Sequence, residues 1–304
     1  MDSSPYAFFD HLAEFFSCVD FRSILNNFSA ATWIEPIAKH AGNRKECSML
    51  ISHVKDSWDM TIVRHNFRIM TLKDFQKEDI RYLRVTGINI VSGGLVYTSY
   101  RSTKRDEDPS KLSKSDIEPF LNKSMFLLQP NSKLTIPSES AECVLDNMEK
   151  IKVGLADLTL PYVDERSVRF LEDQVKFGKL KTLVTHGFDK SGLRASEALS
   201  DLFDQSQMQK FVGYVHNETL LEKLMAKWSQ NERIDFSVTG QFRSTPPNFK
   251  QVFGKITART RDQMTLRLEH PTYRQFCLNT KIGLANWEFY VCTGVQFYGI
   301  EELE

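Results

Sequence analysis

The sequence contains almost none of the short motifs that mark enzymes and metal proteins. It has no glycine-rich dinucleotide loop, no phosphate loop, no HExxH, no GxSxG and no CxxC. Its five cysteines are scattered and odd in number, which is typical of reduced thiols inside the cell rather than of a disulfide framework. We therefore expect no catalytic residue, no cofactor and no metal site.

A surplus of one charge is missing as well. Lys plus Arg number 39 and Asp plus Glu number 39, so the formal net charge is zero. That balance gives no basic footprint for nucleic acid and no polybasic membrane signal. The chain also lacks a run of about eighteen apolar residues, and its start, MDSSPYAFFD, has no basic region like that of a secretory signal. These absences predict a soluble protein of the cytoplasm or the nucleus that binds neither nucleic acid nor membrane.

Phenylalanine, in contrast, is abundant, with 22 residues in the chain. In residues 1–43 apolar side chains recur at spacings of three and four, the period of an amphipathic helix. The first such stripe consists of Phe8, Phe9, Leu12, Phe15 and Phe16. The second short helix follows Asp20 and carries Phe21, Ile24, Leu25 and Phe28. A third carries Trp33, Ile34 and Ile37 and closes at Gly42 and Asn43.

These three predicted helices expose more apolar surface than they can bury among themselves. The surface needs a partner, which is either the rest of this chain or another protein. Both alternatives stay open at this point, because the pattern does not say which surface covers the phenylalanines.

Residues 44–100 are predicted to form a β-rich connecting region. Two strands are expected in residues 47–66 around the turn KDSW, followed by a short helix near TLKDFQKED and a strand at YLRVTGINIV. The next segment, residues 101–116, is charged and nearly devoid of large apolar side chains, which indicates a loop or linker. Residues 117–304 then form an α/β body with a β-rich end.

Two interleaved series in that body recur with one period. The helical positions, spaced by 26, 28, 25 and 25 residues, are Leu145, Leu171, Leu199, Leu224 and Phe249. The strand positions, spaced by 25, 28, 25 and 28 residues, are Leu158, Leu183, Phe211, Phe236 and Met264. A strand plus a helix every 25 to 28 residues is typical of a leucine-rich-repeat-like α/β solenoid. An ordinary α/β sandwich with accidental spacing is the alternative.

Local signals support individual ends of these elements. Gly178 stands where the helix bearing Leu171 is predicted to end, and Thr245 with Pro246 is a good helix start. HPTY, residues 270–273, is predicted to be a strand-ending turn. The tail segments MTLRLEH, RQFCLNT and NWEFYVCTGVQFY alternate and are aromatic, so we expect a β-rich cap on the last repeat.

Alternation along the predicted repeat strands also defines an outward surface. Nine residues fall on it and form the candidate substrate face: Asp157, Thr159, Thr182, Val184, Lys210, Val212, Tyr214, Asp235 and Ser237. The mixture of charges and small apolar side chains favours a protein partner over nucleic acid or phosphate. His186 and His216, which follow predicted strands, are expected at the surface of these repeats rather than in a metal site.

The N-terminal stretch resembles an F-box, a helical motif of about forty residues. The matching features are Pro5 opening the first helix, Leu12 and Phe16 on its apolar face, Asp20-Phe21 starting the second helix, Leu25 and Phe28, and then Trp33. Three features differ from the usual motif: Ser4 replaces the leucine before the proline, the stretch before Trp33 is about two residues too long, and Phe28-Ser29 replaces a small Val-Cys pair. The rest of the chain resembles the nematode-expanded group of F-box-like proteins with an F-box-associated C-terminal region. That likeness is carried by RSVRFLEDQVKFGKLKTLVTHGF and by TLKDF ahead of RYLRVTGINI.

The resemblance implies a substrate-recognition adaptor of a cullin–RING ubiquitin ligase. Such adaptors dock onto a Skp-type linker protein and hold a protein substrate, whose identity the resemblance does not supply. The residues that would make the docking contact here are Pro5, Phe8, Phe9, Leu12, Phe15, Phe16, Phe21 and Leu25. The alternative hypothesis is a leucine-rich-repeat-like protein-binding module with no ubiquitin-ligase link.

Overall fold

The computed structural model describes a mixed α/β protein. The described residues are 23–24, 26–27, 31–54, 57–65, 68–92, 112–191, 193–230, 234–241, 254–273, 276–284 and 287–295. They belong to two compact units, Met1–Gln129 and Pro130–Glu304, whereas the sequence places the start of the body at residue 117. Within the described part of the chain, no helix is long and apolar enough to cross a membrane.

The first unit contains a four-stranded sheet. Its strands are β1 (Lys45–Val54), β2 (Ser57–Arg64), β3 (Ile69–Met70) and β4 (Leu83–Ser92), in the spatial order β4-β1-β2-β3. β1 and β2 form an antiparallel hairpin in which Val54 pairs with Ser57, and β1 runs parallel to β4. The hairpin, the following short helix and β4 lie where the sequence predicts them.

Helix α1 (Ala31–Asn43) covers the third predicted N-terminal segment and packs into the first unit. Ile37 and His40 are only 4% and 1% exposed. The imidazole of His40 meets the ring of Tyr82 edge-on, with ring centroids 5.1 Å apart. One side of the C-terminal half of α1 therefore packs into the core of this unit.

Helices α2 (Leu72–Lys77) and α3 (Lys114–Phe126) begin at side-chain caps. The Thr71 hydroxyl accepts a hydrogen bond from the Asp74 amide at 3.1 Å. Ser113 and Asp116 form a reciprocal capping box, which fixes the start of α3 at Lys114. Residues 114–116 are therefore helical, which differs from the loop predicted for all of residues 101–116. The charged pattern misleads at this end because its polar residues cap a helix.

The second unit contains five parallel strands that are neighbours in chain order. They are β5 (Leu128–Thr135), β6 (Asp157–Pro161), β7 (Thr182–His186), β8 (Lys210–Val215) and β9 (Asp235–Gln241). The connections carry α4 (Ala141–Met148), α5 (Glu165–Phe177), α6 (Leu193–Asp204) and α7 (Glu218–Gln230), with short 3-10 turns at Ser138–Ser140 and Phe188–Lys190. Contacts between helices also follow chain order, from α4 to α5 to α6 to α7.

The periodic strand positions are adjacent in the sheet. Leu158 pairs with Leu183, Leu183 with Phe211, and Phe211 with Phe236. All four are buried, as are the helical positions Leu145, Leu171, Leu199 and Leu224. The residues of the strand series and those of the helical series therefore pack into the same apolar core.

The fifth members of the two series have different outcomes. Met264 lies in β11 (Gln263–Glu269), which is antiparallel to its neighbours and separated from β9 by two strands, so its place in the strand series is wrong. Its spacing matches because a strand of similar burial follows at a similar distance, not because the repeat continues. Phe249 lies outside the described residues, as do Thr245 and Pro246.

The remaining strands extend the sheet of the second unit with antiparallel pairing. They are β10 (Lys255–Arg259), β11, β12 (Phe276–Gly283) and β13 (Glu288–Val295), in the order β10-β11-β12-β13-β9. β13 pairs antiparallel with β9 and so covers the edge of the last parallel strand. The predicted β-rich character of the tail is confirmed.

The predicted turn at HPTY is held by a buried histidine. The His270 Nδ1 accepts from the backbone amides of Thr272 at 3.1 Å and Tyr273 at 3.0 Å, and its Nε2 lies 2.8 Å from the Trp228 carbonyl oxygen. Because Nδ1 accepts, the proton lies on Nε2, which donates to the Trp228 carbonyl oxygen. The neutral imidazole of His270 thus links this turn to α7.

Helix α5 shows how the repeat helices are delimited. Its N-cap carboxylate, Asp164, accepts from the Arg166 backbone amide at 2.8 Å and also binds the Arg166 guanidinium. Its C-terminus ends at Gly178, whose φ of 63° lies in the left-handed region, as the sequence predicts.

Replacing Asp164 with alanine is expected to lower the free energy of unfolding by roughly 1 kcal/mol at pH 7, because α5 loses its N-cap. Hydrogen bonds from Arg166 hold the pKa of the Asp164 carboxyl below its ordinary value. The stabilisation is therefore present at neutral pH and is lost as the pH falls through that lowered pKa. Urea unfolding at pH 7 and at acid pH measures both effects. Asp164→Asn, which keeps a capping oxygen, is the control; an equal loss in both variants would contradict the cap.

Candidate partner-binding face

The predicted docking residues lie in a part of the chain that the structure does not describe. All eight, from Pro5 to Leu25, fall outside the described residues. In the second predicted helix, Ser23, Ile24, Asn26 and Asn27 are helical. The docking contact therefore stays a prediction from the sequence.

The nine residues of the candidate substrate face, in contrast, are brought together by the register of β6–β9. One row across the strands is Asp157, Thr182, Lys210 and Asp235, and the next is Thr159, Val184, Val212 and Ser237. Tyr214 begins a third row, where it pairs with Thr239. Every one of the nine is half-buried or exposed, while the alternating residues between them are mostly buried. The strands thus present these side chains on the face opposite the core.

The face extends further than the sequence indicates. On β5, Lys133 pairs with Asp157 and Thr135 with Thr159, which adds a strand to the first two rows. On the antiparallel side, Thr239 pairs with Tyr290 and Tyr290 with Lys281. Strand alternation alone finds side chains on one strand, but it does not reveal which distant strand will lie beside it.

A cleft of about 850 Å³ opens at the carboxyl ends of β7, β8 and β9. Its polar lining includes His186, Asp189, Tyr214, Lys281, Glu288 and Tyr290. Ligand sites in parallel α/β sheets commonly lie at this end of the strands, and the volume is in the range of known ligand pockets. Of the nine predicted residues, Tyr214 lines this cleft.

Burial and two carboxylates both act on the Tyr214 hydroxyl. Burial raises the pKa of Tyr214, and the carboxylates of Asp189 and Glu288 raise it further by repelling the phenolate. The Ser237 hydroxyl donates to the Tyr290 hydroxyl at 3.0 Å, which fixes the second tyrosine of the cleft.

Elsewhere on the face, electrostatic pairing is weak. Lys210 and Asp235 lie 3.8 Å apart, and both side chains are about half exposed. An ion pair of this kind contributes little to stability in water. Asp235 also accepts a hydrogen bond from the Thr293 hydroxyl, so this carboxylate is already engaged at the edge of the face.

A serine and a histidine meet near the cleft, but their hydrogen bonds are those of a structural pair. The Ser191 Oγ lies 3.1 Å from the His216 Nε2 and donates its one proton to the Phe188 carbonyl oxygen at 2.6 Å. Because that proton is already engaged, the imidazole donates to Ser191 instead of accepting from it. This arrangement does not activate a nucleophile. His186 is exposed at the end of β7, as predicted.

The buried thiol Cys47 is held in its protonated form, since burial raises its pKa to about 12. Among the described residues, no group of three or more His, Cys, Asp or Glu side chains is placed to hold a metal ion.

Comparison with known proteins leaves the face to be interpreted from its own residues. No protein-family model matches the chain, and neither does any curated protein or any solved structure. The geometry of the strands and the chemistry of their side chains are therefore the basis for assigning a function.

Proposed function

We propose that the chain is a non-enzymatic adaptor that binds a protein partner on the outward face of β5–β9. The observation that carries this proposal is the pair of rows in register across the parallel strands. The first row carries the charges of Asp157, Lys210 and Asp235, and the second row has the two valines, Val184 and Val212, flanked by hydroxyl side chains. A surface of that composition suits the mixed polar and apolar contacts of a protein interface.

We further propose that the parallel part of the second unit is a leucine-rich-repeat-like solenoid. Its support is the chain-order arrangement of five strands, the chain-order contacts of four helices and the two buried periodic series. In such an architecture the helices cover one side and leave the strand face for partners.

Attachment to a Skp-type linker of a cullin–RING ubiquitin ligase is the second half of the proposal. It rests on the resemblance of residues 1–43 to an F-box and on the phenylalanine-rich stripe that begins at Phe8. Because Ile37 and His40 are buried in the first unit, α1 would join a docking segment firmly to the rest of that unit. The alternative remains a protein-binding module with no ligase link.

One experiment tests both halves with the full-length chain. Tagged protein is incubated with a purified Skp-type linker and, separately, used to recover and identify bound proteins from source cells. Phe9→Asp with Leu12→Asp is expected to abolish linker capture, because charged groups replace apolar contacts that each contribute about 1.5–3 kcal/mol when buried. Val184→Arg with Val212→Arg is expected to lower the affinity for the protein partner by about tenfold or more and to leave linker capture intact.

Ala226→Arg, at an exposed position of α7, is the matched control for added charge and bulk. Thermal unfolding of every variant checks that the fold persists. If the wild-type chain does not capture the linker while a known F-box protein does so in the same experiment, only the protein-binding module with no ligase link remains. If the protein partner binds the Val184→Arg/Val212→Arg variant as tightly as it binds the wild type, the assignment of the face is wrong.

A further inference from the structure

Strand β10 lies at the end of the sheet in the second unit. Among the described strands its one neighbour is β11, with which it pairs antiparallel. The other side of β10 therefore carries backbone N–H and C=O groups that no described strand pairs, which is the arrangement that accepts an added strand. Four of its five residues are exposed and Ile256 is half-buried, so a partner has access along the whole strand.

A β-bulge fixes how β10 is attached to β11. Ile256 pairs with Leu266 and Ala258 with Thr265, so Thr257 is the inserted residue. The Thr257 hydroxyl donates to the Thr265 carbonyl oxygen at 3.3 Å, which adds a side-chain hydrogen bond on the β11 side. The strand is therefore held from one side, and a partner strand would pair on the other.

The side chains of this edge carry an excess of positive charge. Residues 255–267 contain four cations, Lys255, Arg259, Arg261 and Arg267, and one acid, Asp262. Lys255, Arg259 and Arg261 are exposed, and their side chains form no ion pair with any residue in the described part of the chain. A negatively charged segment would therefore find these cations unneutralised.

The same charges decide which kind of strand the edge accepts. Two copies of β10 paired antiparallel about Thr257 would place Lys255 opposite Arg259, and two copies paired in parallel register would place each cation beside its duplicate. Like charges directly opposite each other destabilise a strand pair, and lysine on an edge strand protects against pairing between copies. An acidic strand meets no such repulsion and gains opposite-charge pairs at the same positions.

We propose that β10 binds an acidic, extended segment of a protein partner as an added strand. The edge is separate from the outward face of β5–β9, so the inference goes beyond the proposed function and does not depend on it. Main-chain hydrogen bonds supply affinity in this mode of binding, and carboxylates opposite Lys255 and Arg259 supply specificity. The five residues of β10 span roughly 16 Å, which sets the length of the bound segment at about five residues.

A peptide selection with the full-length chain tests this site. A phage-displayed library of random heptapeptides is panned on the wild-type chain after subtraction on the variant Lys255→Glu/Arg259→Glu. The selected peptides are expected to be enriched in aspartate and glutamate. One of them is synthesised unchanged, with its acids replaced by the corresponding amides, and N-methylated at either its odd-numbered or its even-numbered backbone amides. Fluorescence anisotropy measures each dissociation constant.

The peptide with amides in place of acids is expected to bind about tenfold or more weakly, and so is the acidic peptide to Lys255→Glu/Arg259→Glu. One of the two N-methylated forms is expected to lose binding and the other to keep it, because alternate amides of a strand point to opposite sides. Lys73→Glu/Lys77→Glu, which reverses two exposed charges on α2, is the matched control and should bind as the wild type does.

Absence of acidic enrichment, equal binding of the amide-substituted peptide, or equal binding of the two N-methylated forms would each overturn the added strand. A dimer of the wild-type chain that the acidic peptide dissociates would assign the edge to a second copy instead. Thermal unfolding checks that the variants keep their fold. Val184→Arg/Val212→Arg should bind the acidic peptide normally, so this site and the outward face fail or stand separately.

Discussion

Phe211→Ala is expected to lower the free energy of unfolding by about 3–5 kcal/mol. The side chain is fully buried in the second unit and lies in the row of apolar residues between Leu183 and Phe236. Its ring meets the ring of Phe203 from α6 edge-on, with centroids 5.0 Å apart. Removing it takes away contacts to both the strand layer and the helix layer, and the closely packed surroundings collapse only partly into the space.

Urea unfolding monitored by circular dichroism measures the loss. The matched control is Val212→Ala, the next residue on the same strand, which is half-buried on the outward face and should lose less than about 1 kcal/mol. A similar loss at both positions would contradict the inward and outward assignment of β8. It would also remove the basis for placing the partner on that face.

The periodic series could be predicted from the sequence because the physics of a parallel repeat is regular. Each parallel strand needs a crossover back to the same edge, and a helix of similar length supplies it every time. The apolar residue that packs on the helices therefore recurs at nearly constant spacing, as Leu158, Leu183, Phe211 and Phe236 do. The regularity ends where hairpins begin, since antiparallel strands need no helix between them. Met264 keeps the spacing but not the place in the sheet.

The cleft could not be predicted, because its components come from separate segments. Asp189 and Glu288 lie about a hundred residues apart and meet only because β13 folds back beside β9. Alternation predicted the outward position of Tyr214 but contained no information on Tyr290, its neighbour one strand further. The sequence likewise indicated a linker up to residue 116, where the Ser113 and Asp116 cap starts α3 instead.

Buried polar ties inside the repeats are equally invisible to a hydrophobic pattern. Gln174 stands on α5 among apolar neighbours and is fully buried. Its Oε1 accepts from the Leu155 amide at 2.9 Å, and its Nε2 donates to the Val153 carbonyl oxygen at 3.3 Å. The Gln174 side chain thus forms hydrogen bonds with two backbone groups, the Leu155 amide and the Val153 carbonyl, in the loop that leads into β6. The loop is thereby fastened to the helix that follows the strand.

Gln174→Leu is expected to lower the free energy of unfolding by about 2–4 kcal/mol, although the new side chain is apolar and similar in size. The buried Leu155 amide and the Val153 carbonyl lose their partners, and an unsatisfied buried polar group costs about 1–3 kcal/mol. Urea unfolding of the full-length chain measures the change. Gln205→Leu is the control. Gln205 is half-buried; its Nε2 donates to one backbone group, the Val175 carbonyl oxygen at 2.7 Å, and its Oε1 accepts from the Gln207 side chain, and water can replace these bonds. A gain in stability in Gln174→Leu would show that the apolar contacts outweigh both hydrogen bonds, so that the loop before β6 is held by packing alone.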